Sequence, residues 1–490
     1  TLAGTLAFQL ACDKANIQPI LGETVTVKLN TDIETFIEAK LFALTKKGWN
    51  NLLHINKHIN VLNEEQYIDE DALLSYGKDI VFVWSSHNVE RLSKKRAKRI
   101  QEAFTESYYQ FDAVEFASSD TDRRFLMQQN ALMQDGFLPP ILLNDTYYLD
   151  REDAEVKKLL NKIDKNRALN QSNSQYLKDL DDVLDLVEPL FQSEDTMYDF
   201  IEWALSHANH IAEAAQFKIE IGKFRLPKYE RVDDQLLFAD NESFFKHLIQ
   251  KGLTTLIPKA SEHDKYQMRI EEELEVIKEG GFIDYFLILW DIMEFCKREN
   301  ILTGIGRGSA GGSVIAYLLG IIKMNPLDYD LIFSRFLNKG RIKVSMPDID
   351  SDFESTRRDE VKRYMEQRYG VEQVCSIGTY GTLKLRAALQ ELGRLEGIDA
   401  STRRYMSKIL DGSSEHWVSL FQTAMQTPEL KNFIQKHATM INQIPLLLNQ
   451  PKNASVHAAG VIVVPKEDEE GNPMTVFDWL PIKKMDGILI

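Results

Sequence analysis

The sequence lacks the long apolar run that a membrane-spanning helix requires. Its 490 residues contain no stretch of about 18 or more uninterrupted apolar residues. The most apolar segment, residues 285–290, is bounded by Asp284 and Asp291. The first residues, Thr1–Gly4, show neither an initiator Met nor a signal-peptide pattern. We therefore expect a piece of a longer chain that neither crosses a membrane nor is secreted.

Cysteine is scarce as well. Cys12, Cys296 and Cys375 are far apart and form neither a CxxC pair nor the spacing of zinc ligands. No HExxH motif occurs among the ten histidines. These absences argue against a disulfide framework and a zinc site, and they predict reduced core thiols in a cytoplasmic protein.

Positive charge is outnumbered, and the formal net charge is −16. Taken alone, this balance argues against nucleic acid, whose phosphates attract a positive surface. The argument is weak for a large enzyme, because only the binding groove has to be basic. Basic runs do occur at residues 94–99, at Arg357-Arg358 and from Lys384 to Arg394. Each run alone is more typical of a solvated helix face.

Short β-like runs alternate with helical patterns in the first part of the chain. Residues 80–84 and 139–143 are predicted as buried strands. Residues 382–449 indicate helix after helix, and β-like sequence returns at residues 460–465. We therefore predict an α/β multidomain protein, divided into residues 1–215, 216–381, 382–450 and 451–490.

The most informative segment is residues 345–353, with the sequence SMPDIDSDF. Side chains alternate along a strand, so a strand here would place Asp348, Asp350 and Asp352 on one face. Neighbouring carboxylates repel each other, and a divalent cation would offset that repulsion. Paired carboxylates that hold two magnesium ions about 3.5–4 Å apart are the usual device of phosphoryl transfer. The alternative is a solvent-exposed acidic edge strand.

Glycine recurs upstream, through residues 304–313 (GIGRGSAGGS), directly before an apolar helical pattern. Glycine lets backbone N–H groups turn toward one point, and the start of a helix adds partial positive charge. With Arg307, Ser309 and Ser313 as further donors, this glycine turn predicts a site for a triphosphate. A tight helix-packing turn is one alternative.

A dinucleotide site is another alternative, because Gly306 to Gly311 match the GxGxxG spacing. That site would need a second strand that ends in an acidic residue. Here Asp328 and Asp330 follow Pro326 in a predicted loop instead. The GxxxxGK[ST] pattern of P-loop proteins is absent.

The glycine turn and the acidic segment together resemble the palm of the C-family DNA polymerases, the bacterial replicative polymerases. The resemblance extends in the same order over about residues 195–490. Its motifs are GFIDYFLI at 281–288, GRGS at 306–309, SVIAYLLG at 313–320, RFLN at 335–338, PDIDSDF at 347–353, GTYGT at 378–382 and VHAAGV at 456–461.

The resemblance implies a DNA-directed DNA polymerase, in which a primer 3′-hydroxyl attacks a dNTP and pyrophosphate is released. It implies Asp348 and Asp350 as the catalytic residues that hold two Mg²⁺ ions, whereas Asp352 is less often a ligand. The implied nucleotide-binding residues are Arg307, Gly308, Ser309 and Arg335. The implied DNA-binding residues are Lys384, Arg386 and Arg394.

The same resemblance assigns the domains. Residues 216–381 and 451–490 would form a nucleotidyltransferase-like palm with a mixed sheet and helices, and residues 382–450 an inserted helical thumb. Residues 1–215 resemble, more weakly, a PHP domain that lacks its beginning. Active PHP domains bind metals through His and acidic residues, but Tyr147 stands where the family often has His, and Glu23 is displaced by one position. We predict a structural PHP-like domain without hydrolytic activity.

A third catalytic carboxylate and the fingers would lie beyond Ile490, so we expect that the chain alone does not polymerise. The implied partners are primer–template DNA and dNTPs, with a sliding clamp and a proofreading exonuclease for the full-length protein. Two other functions stay open. One is a PHP-type metal-dependent phosphoesterase, and the other is a non-catalytic scaffold.

Overall fold

The computed structural model describes residues 2–63, 65–88, 90–115, 120–163, 172–222, 225–410, 417–485 and 487–490. Within these ranges, no helix is both long enough and apolar enough to cross a membrane.

A six-stranded mixed sheet organises the first part of the chain, in the order β3-β1-β2-β4-β5-β6. Strands β1 and β2 form an antiparallel hairpin, β2 and β4 are also antiparallel, and the remaining neighbours are parallel. The strands are β1 (Gly22–Leu29), β2 (Thr35–Ala43), β3 (Ile68–Asp69), β4 (Ile80–Trp84), β5 (Glu106–Phe111) and β6 (Pro140–Leu142).

Helices cover both faces of this sheet. The alternation of β4 shows why, because Phe82 and Trp84 pack into one apolar cluster whereas Val81 and Val83 pack into another. The predicted strands at 80–84 and 139–143 are thus confirmed, the second with shorter bounds. The helices are α1 (Thr5–Ala15), α2 (Lys46–Lys57), α3 (Glu70–Leu74), α4 (Lys94–Ala103), α5 (Asp120–Asp135), α6 (Ala154–Ile163), α7 (Leu180–Val187) and α8 (Glu194–Ala214).

The middle of the chain is helical, with long irregular connections. Its largest apolar cluster includes the fully buried rings of Phe282, Phe286, Phe333 and Phe336, which lie under the glycine turn and the acidic segment. The helices are α9 (Asn241–Leu256), α10 (His263–Glu279), α11 (Ile283–Arg298), α12 (Val314–Leu318) and α13 (Arg358–Tyr369). Short 3₁₀ helices occur at Ser309–Gly312, Pro326–Tyr329, Phe333–Arg335 and Arg341–Lys343.

A long antiparallel ribbon, β7 (Val374–Thr382) with β8 (Pro451–Val463), brackets a second group of helices. The backbone N–H of Leu383 donates to Gln450, and that of Asn449 donates to Leu383, which closes the base of the group. The helices are α14 (Leu385–Leu395), α15 (Ala400–Ile409), α16 (Trp417–Gln426), α17 (Pro428–Lys436) and α18 (Ala438–Leu447). The described chain ends with α19 (Val476–Trp479), β9 (Lys484–Met485) and β10 (Ile488–Leu489).

The α/β multidomain prediction is confirmed at this level. The domain boundaries stay predictions, and several contacts cross them, including His54 with Asp478 and Lys57 with Glu372. Leu159, Leu160 and Ile163 of α6 pack into the apolar cluster of the helices α14–α18.

Two sequence-based predictions for residues 216–381 and 451–490 are wrong. In the described part of these ranges, the strands form only two-stranded ribbons, so the expected mixed palm sheet is not found. The acidic segment is not a regular strand either. It is extended, but it makes a single bridge, between Phe353 and Thr303. The neighbouring chain does not continue the ladder, and its backbone has a positive φ at Gly306.

The dinucleotide alternative also loses its basis. Asp328 lies in a 3₁₀ helix and Asp330 has a left-handed backbone with φ of 51°. Neither residue ends a strand in the described chain, as a βαβ unit would require.

The buried carboxyl group of Glu23 on β1 generates a prediction about pH and stability. Burial raises its pKa to about 7 from an ordinary 4.5. The folded state therefore binds this proton more tightly than the unfolded state does, and stability falls as the pH rises from about 4.5 through about 7. We expect Glu23→Gln to be more stable than the wild type at about pH 8, by up to roughly 3 kcal/mol.

Urea unfolding at about pH 5 and about pH 8 checks this expectation. Glu34→Gln serves as the control, because the Glu34 side chain is 59% exposed. An equal loss of stability between the two pH values in Glu23→Gln and the wild type would contradict a buried, titrating Glu23.

Candidate active site

The glycine turn comes after α11. At two of its positions the backbone has a conformation that only glycine adopts without strain. Gly306 has φ of 114°, and a Cβ there would lie 2.8 Å from Cγ2 of Ile322. Gly308 has φ of 72° and ψ of −158°, a region that is almost exclusive to glycine. Among the described residues, no protein acceptor takes the backbone N–H groups of Gly306, Arg307 or Gly308. These N–H groups are available to an anion.

The acidic segment runs antiparallel to the start of the glycine turn. The N–H of Gly304 donates to the carbonyl of Asp352 at 2.9 Å, and the N–H of Glu354 donates to the carbonyl of Leu302 at 2.9 Å. Pro347 and Ile349 are buried, whereas the three aspartates between and after them are exposed. The alternation expected from the sequence is therefore present, although the regular strand is not.

The two segments meet at Asp350. Its Oδ2 lies 3.6 Å from Nε of Arg307, and a Cβ on Gly308 would be 3.7 Å from the same oxygen. Asp348 follows two residues away on the same exposed side. The structure thus brings one predicted metal ligand directly against two predicted nucleotide-binding residues.

The three aspartates do not form a compact cluster. An extended chain rises about 3.3 Å per residue, so residues 348 and 352 are about 13 Å apart along it. Within the described residues, three ligand atoms lie within 4.8 Å of one another only at Glu38, His87 and Asp145, which lie on or just after strands of the first sheet. A single ion could therefore be shared by neighbouring aspartates such as Asp348 and Asp350, but not by all three.

Tyr285 of α11 supports the acidic segment from below. Its hydroxyl accepts the N–H of Ile349 at 3.3 Å. Burial, together with the carboxylates of Asp348 and Asp350, raises the pKa of Tyr285 to about 12, so the phenol stays neutral. The hydroxyl therefore fixes the backbone between the two aspartates without adding a charge.

The start of α12 is already occupied by a buried carboxylate. Oε1 of Glu273 on α10 accepts the N–H of Val314 at 2.8 Å, and Oε2 accepts the N–H of Ile315 at 3.0 Å and the hydroxyl of Ser313 at 2.7 Å. Burial raises the pKa of Glu273, and these donors lower it in part. The expected contribution of this helix end and of Ser313 to triphosphate binding is therefore wrong, and the loop N–H groups remain.

Arg269 extends this network to the glycine turn. Its Nε donates to Glu273 at 2.9 Å, and its Nη2 donates to the carbonyls of Gly312 at 3.0 Å and Leu331 at 3.1 Å. One ion pair thus holds the end of the turn and the chain that leads to Arg335. The sequence contained a signal for it, because Glu273 interrupts the apolar stripe that includes Tyr266 and Ile270 on α10.

The other predicted nucleotide contacts lie around the turn. Ser309 is exposed at the start of the 3₁₀ helix Ser309–Gly312. A Cβ on Gly312 would be 2.7 Å from the carbonyl oxygen of Ile332, so the segment that includes Arg335 packs directly against the turn. Arg335 is exposed, and its carbonyl accepts Nη1 of Arg341 at 3.1 Å.

The three predicted DNA-binding cations contact the protein itself. Nζ of Lys384 donates to Asn449 at 3.3 Å, and Nη2 of Arg386 donates to the carbonyl of Leu410 at the end of α15. Arg394 pairs with Glu391 at 3.0 Å and donates to the carbonyl of Ile163. All three are exposed, and their role toward DNA stays a prediction.

Comparison with known proteins relates this chain to a protein family. The family model described as the bacterial DNA polymerase III alpha NTPase domain matches residues 243–485. The DNA polymerase III subunit alpha of Halalkalibacterium halodurans is 31% identical over 94% of this chain and 40% of its own length. That of Bacillus subtilis is 30% identical over 99% of this chain and 44% of its own length. The chain therefore spans about two fifths of the length of these relatives.

The buried ion pair of Glu273 generates a stability prediction. Glu273→Ala would leave Arg269 without its carboxylate and the start of α12 without a cap, so we expect a loss of roughly 3–5 kcal/mol in the free energy of unfolding. Glu271→Ala, on the exposed side of the same helix, should change it by less than about 0.5 kcal/mol. Urea unfolding of both variants checks this, and similar small losses in both would refute the supporting role of Glu273.

Proposed function

This chain belongs to the bacterial DNA polymerase III alpha family, and from that premise we propose that it carries the nucleotide site and two catalytic carboxylates of a DNA-directed DNA polymerase. The reaction would be attack of a primer 3′-hydroxyl on a dNTP, with release of pyrophosphate. The observation that carries the proposal is the contact of Asp350 with Arg307 and Gly308, because nucleotidyl transfer needs carboxylates and phosphate donors at one place.

Asp348 and Asp350 would hold Mg²⁺, and the donor set fits such an ion. Both residues offer exposed carboxylate oxygens on one side of an extended backbone, and magnesium prefers oxygen ligands from one or two carboxylates together with substrate phosphates. The bound ions would neutralise charge on the phosphates and activate the attacking hydroxyl. Asp352 would contribute less, because its carboxylate lies against Gly304 and its Oδ2 would be 3.1 Å from a Cβ there.

The glycine turn would bind the triphosphate. The backbone N–H groups of Gly306, Arg307 and Gly308 have no acceptor among the described residues, and Arg307 adds a guanidinium that is 60% exposed. Ser309 and Arg335 would supply further donors from the same surface. In the absence of substrate, the 3.6 Å contact with Arg307 partly compensates the charge of Asp350.

Primer–template DNA would contact the helices α14–α18, which we propose as the thumb. The phosphate backbone is the part of DNA that a non-specific grip recognises, and Lys384, Arg386 and Arg394 are exposed on this group. Residues 216–381 and 451–490 would be the palm, and residues 1–215 a PHP-like domain. A sliding clamp and a proofreading exonuclease would be partners of the full-length protein.

The phosphoesterase alternative has one observation in its favour. Glu38, His87 and Asp145 bring three ligand atoms within 4.8 Å of one another. The ammonium group of Lys40 lies against two of these groups, however, where it would repel a metal ion. Polymerisation is therefore the better supported function. Under the scaffold alternative, the two aspartates would have no role in catalysis.

Primer extension by the full-length polymerase that contains this chain tests the carboxylates. We expect Asp348→Asn and Asp350→Asn each to slow extension at saturating Mg²⁺ by more than about a hundredfold, because each removes a carboxylate that would hold the ions which stabilise the transition state. Asp359→Asn, an exposed change on α13 outside the acidic segment, is the control and should extend normally. Normal extension by either of the first two variants would refute the proposed roles and favour the scaffold.

The shape of the glycine turn can be tested separately. Gly308→Ala would force a Cβ into a backbone region that costs about 1–3 kcal/mol, and we expect a rise of about tenfold or more in KM for dNTP. Gly311→Ala is the matched control, because its φ is not positive and its Cβ would meet Met324 at an ordinary 3.5 Å. Steady-state extension at varied dNTP measures both. Equal KM values for Gly308→Ala and the control would contradict a nucleotide site at the turn.

A further inference from the structure

A second polar cluster lies beside the carboxyl ends of β4 and β6 in the first sheet, far along the chain from the proposed active site. Glu38 and Lys40 are on β2, His87 follows β4, and Asp145 follows β6. Asp145 is 8% exposed and Lys40 is 7% exposed, so the central pair is buried. These four residues form the Lys40 cluster.

Lys40 is the centre of these contacts. Its Nζ lies 3.1 Å from Oδ1 of Asp145 and 3.0 Å from Oε1 of Glu38. Burial alone would lower the pKa of Lys40, but the two carboxylates outweigh burial and raise it. Contact with His87 and with Lys40 outweighs burial at Asp145 and lowers the pKa of that carboxyl. The pair is therefore an ammonium ion and a carboxylate.

Gln110 and His87 complete the surroundings of Asp145. Nε2 of Gln110 donates to Oδ1 of Asp145 at 3.0 Å, and Nε2 of His87 contacts Oδ2. The hydroxyl of Ser85 is within 3.2 Å of oxygens of both Gln110 and Glu38. Burial, followed by the charge of Asp145, raises the pKa of the neighbouring Asp112 well above its ordinary value, so it adds no second buried charge.

Residues 1–215 resemble PHP domains, whose active members bind metal ions. Glu38, His87 and Asp145 are a donor set that suits Zn²⁺ or Mn²⁺. The ammonium of Lys40 is within 3.1 Å of two of the three groups, however, and a divalent cation held by the same oxygens would meet a fixed positive charge at close range. With Lys40 in place, the residues do not fit a metal ion.

We propose that the Lys40 ammonium group is a built-in replacement for a metal ion, and that it closes a cation site whose three protein ligands are otherwise assembled. Its positive charge offsets the carboxylates of Asp145 and Glu38, which a metal would do in an occupied site. Removal of that charge would open the site to a divalent cation. This inference does not depend on the proposed polymerase function.

The test uses Lys40→Met in the full chain, with Zn²⁺ and Mn²⁺ as probes in thermal unfolding and calorimetric titration. Lys28→Met is the control, because Lys28 on β1 pairs with the exposed Glu34, which lies just before β2. Without added cation we expect Lys40→Met to have a lower Tm than the wild type. When Zn²⁺ or Mn²⁺ is added, the Tm of Lys40→Met should rise, because the bound ion stabilises the folded state by mass action. Calorimetry should show one ion bound per chain, with an affinity at least about tenfold higher than that of the wild type. The wild type and Lys28→Met should show no such rise.

The variant Asp145→Asn shows whether a cation response comes from the Lys40 cluster. It also provides a test if Lys40→Met does not fold. The double variant Lys40→Met/Asp145→Asn should lose the cation response and be less destabilised than the sum of the single changes. A rise of Tm with cation in the wild type that Asp145→Asn abolishes would overturn the proposal. So would unchanged stability in Lys40→Met, failure of that folded variant to bind either cation, or additive losses in the double variant.

Discussion

The antiparallel contact of residues 302–304 with residues 352–354 is the constraint on which the proposed active site depends. Two backbone hydrogen bonds of 2.9 Å set the register, from Gly304 to Asp352 and from Glu354 to Leu302. Because Ile349 is buried under the segment, its neighbours Asp348 and Asp350 face outward. Asp350 then arrives beside Gly308 and Arg307. A shift of one residue would turn the aspartates into the apolar cluster.

The surrounding structure holds this contact in place with a few buried polar groups. Glu273 and Arg269 fix the far end of the glycine turn through α12 and the carbonyl of Gly312. Tyr285 fixes the backbone at Ile349. These groups come from α10 and α11, whose apolar faces pack into the same cluster of phenylalanines. The irregular loops of the site are thus supported by regular helices, as binding loops commonly are.

The sequence predicted the parts of the fold that have strong periodicity, and it failed where long-range contacts decide the structure. The strand at Ile80–Trp84 is uniformly apolar and was predicted correctly. Alternation at residues 347–352 correctly predicted that the three aspartates share one side of the chain. Periodicity does not reveal whether a partner strand exists, however, so the predicted strand was wrong. Local spacing also made Ser313 and the start of α12 look free, since the carboxylate that occupies them, Glu273, is 40 residues upstream. The catalytic role of the assigned residues stays a prediction.

Iron-mediated cleavage of the full-length polymerase with bound primer–template and dNTP tests the central claim most directly. When hydrogen peroxide is added, Fe²⁺ that replaces Mg²⁺ is oxidised to Fe³⁺ and reduces the peroxide to hydroxide and a hydroxyl radical, which cuts the nearby backbone. If one metal-bound nucleotide bridges both segments, cuts should appear within residues 304–309 and within residues 346–352, and excess Mg²⁺ should suppress both sets together. Cuts in only one of these segments, or in neither, would contradict the account.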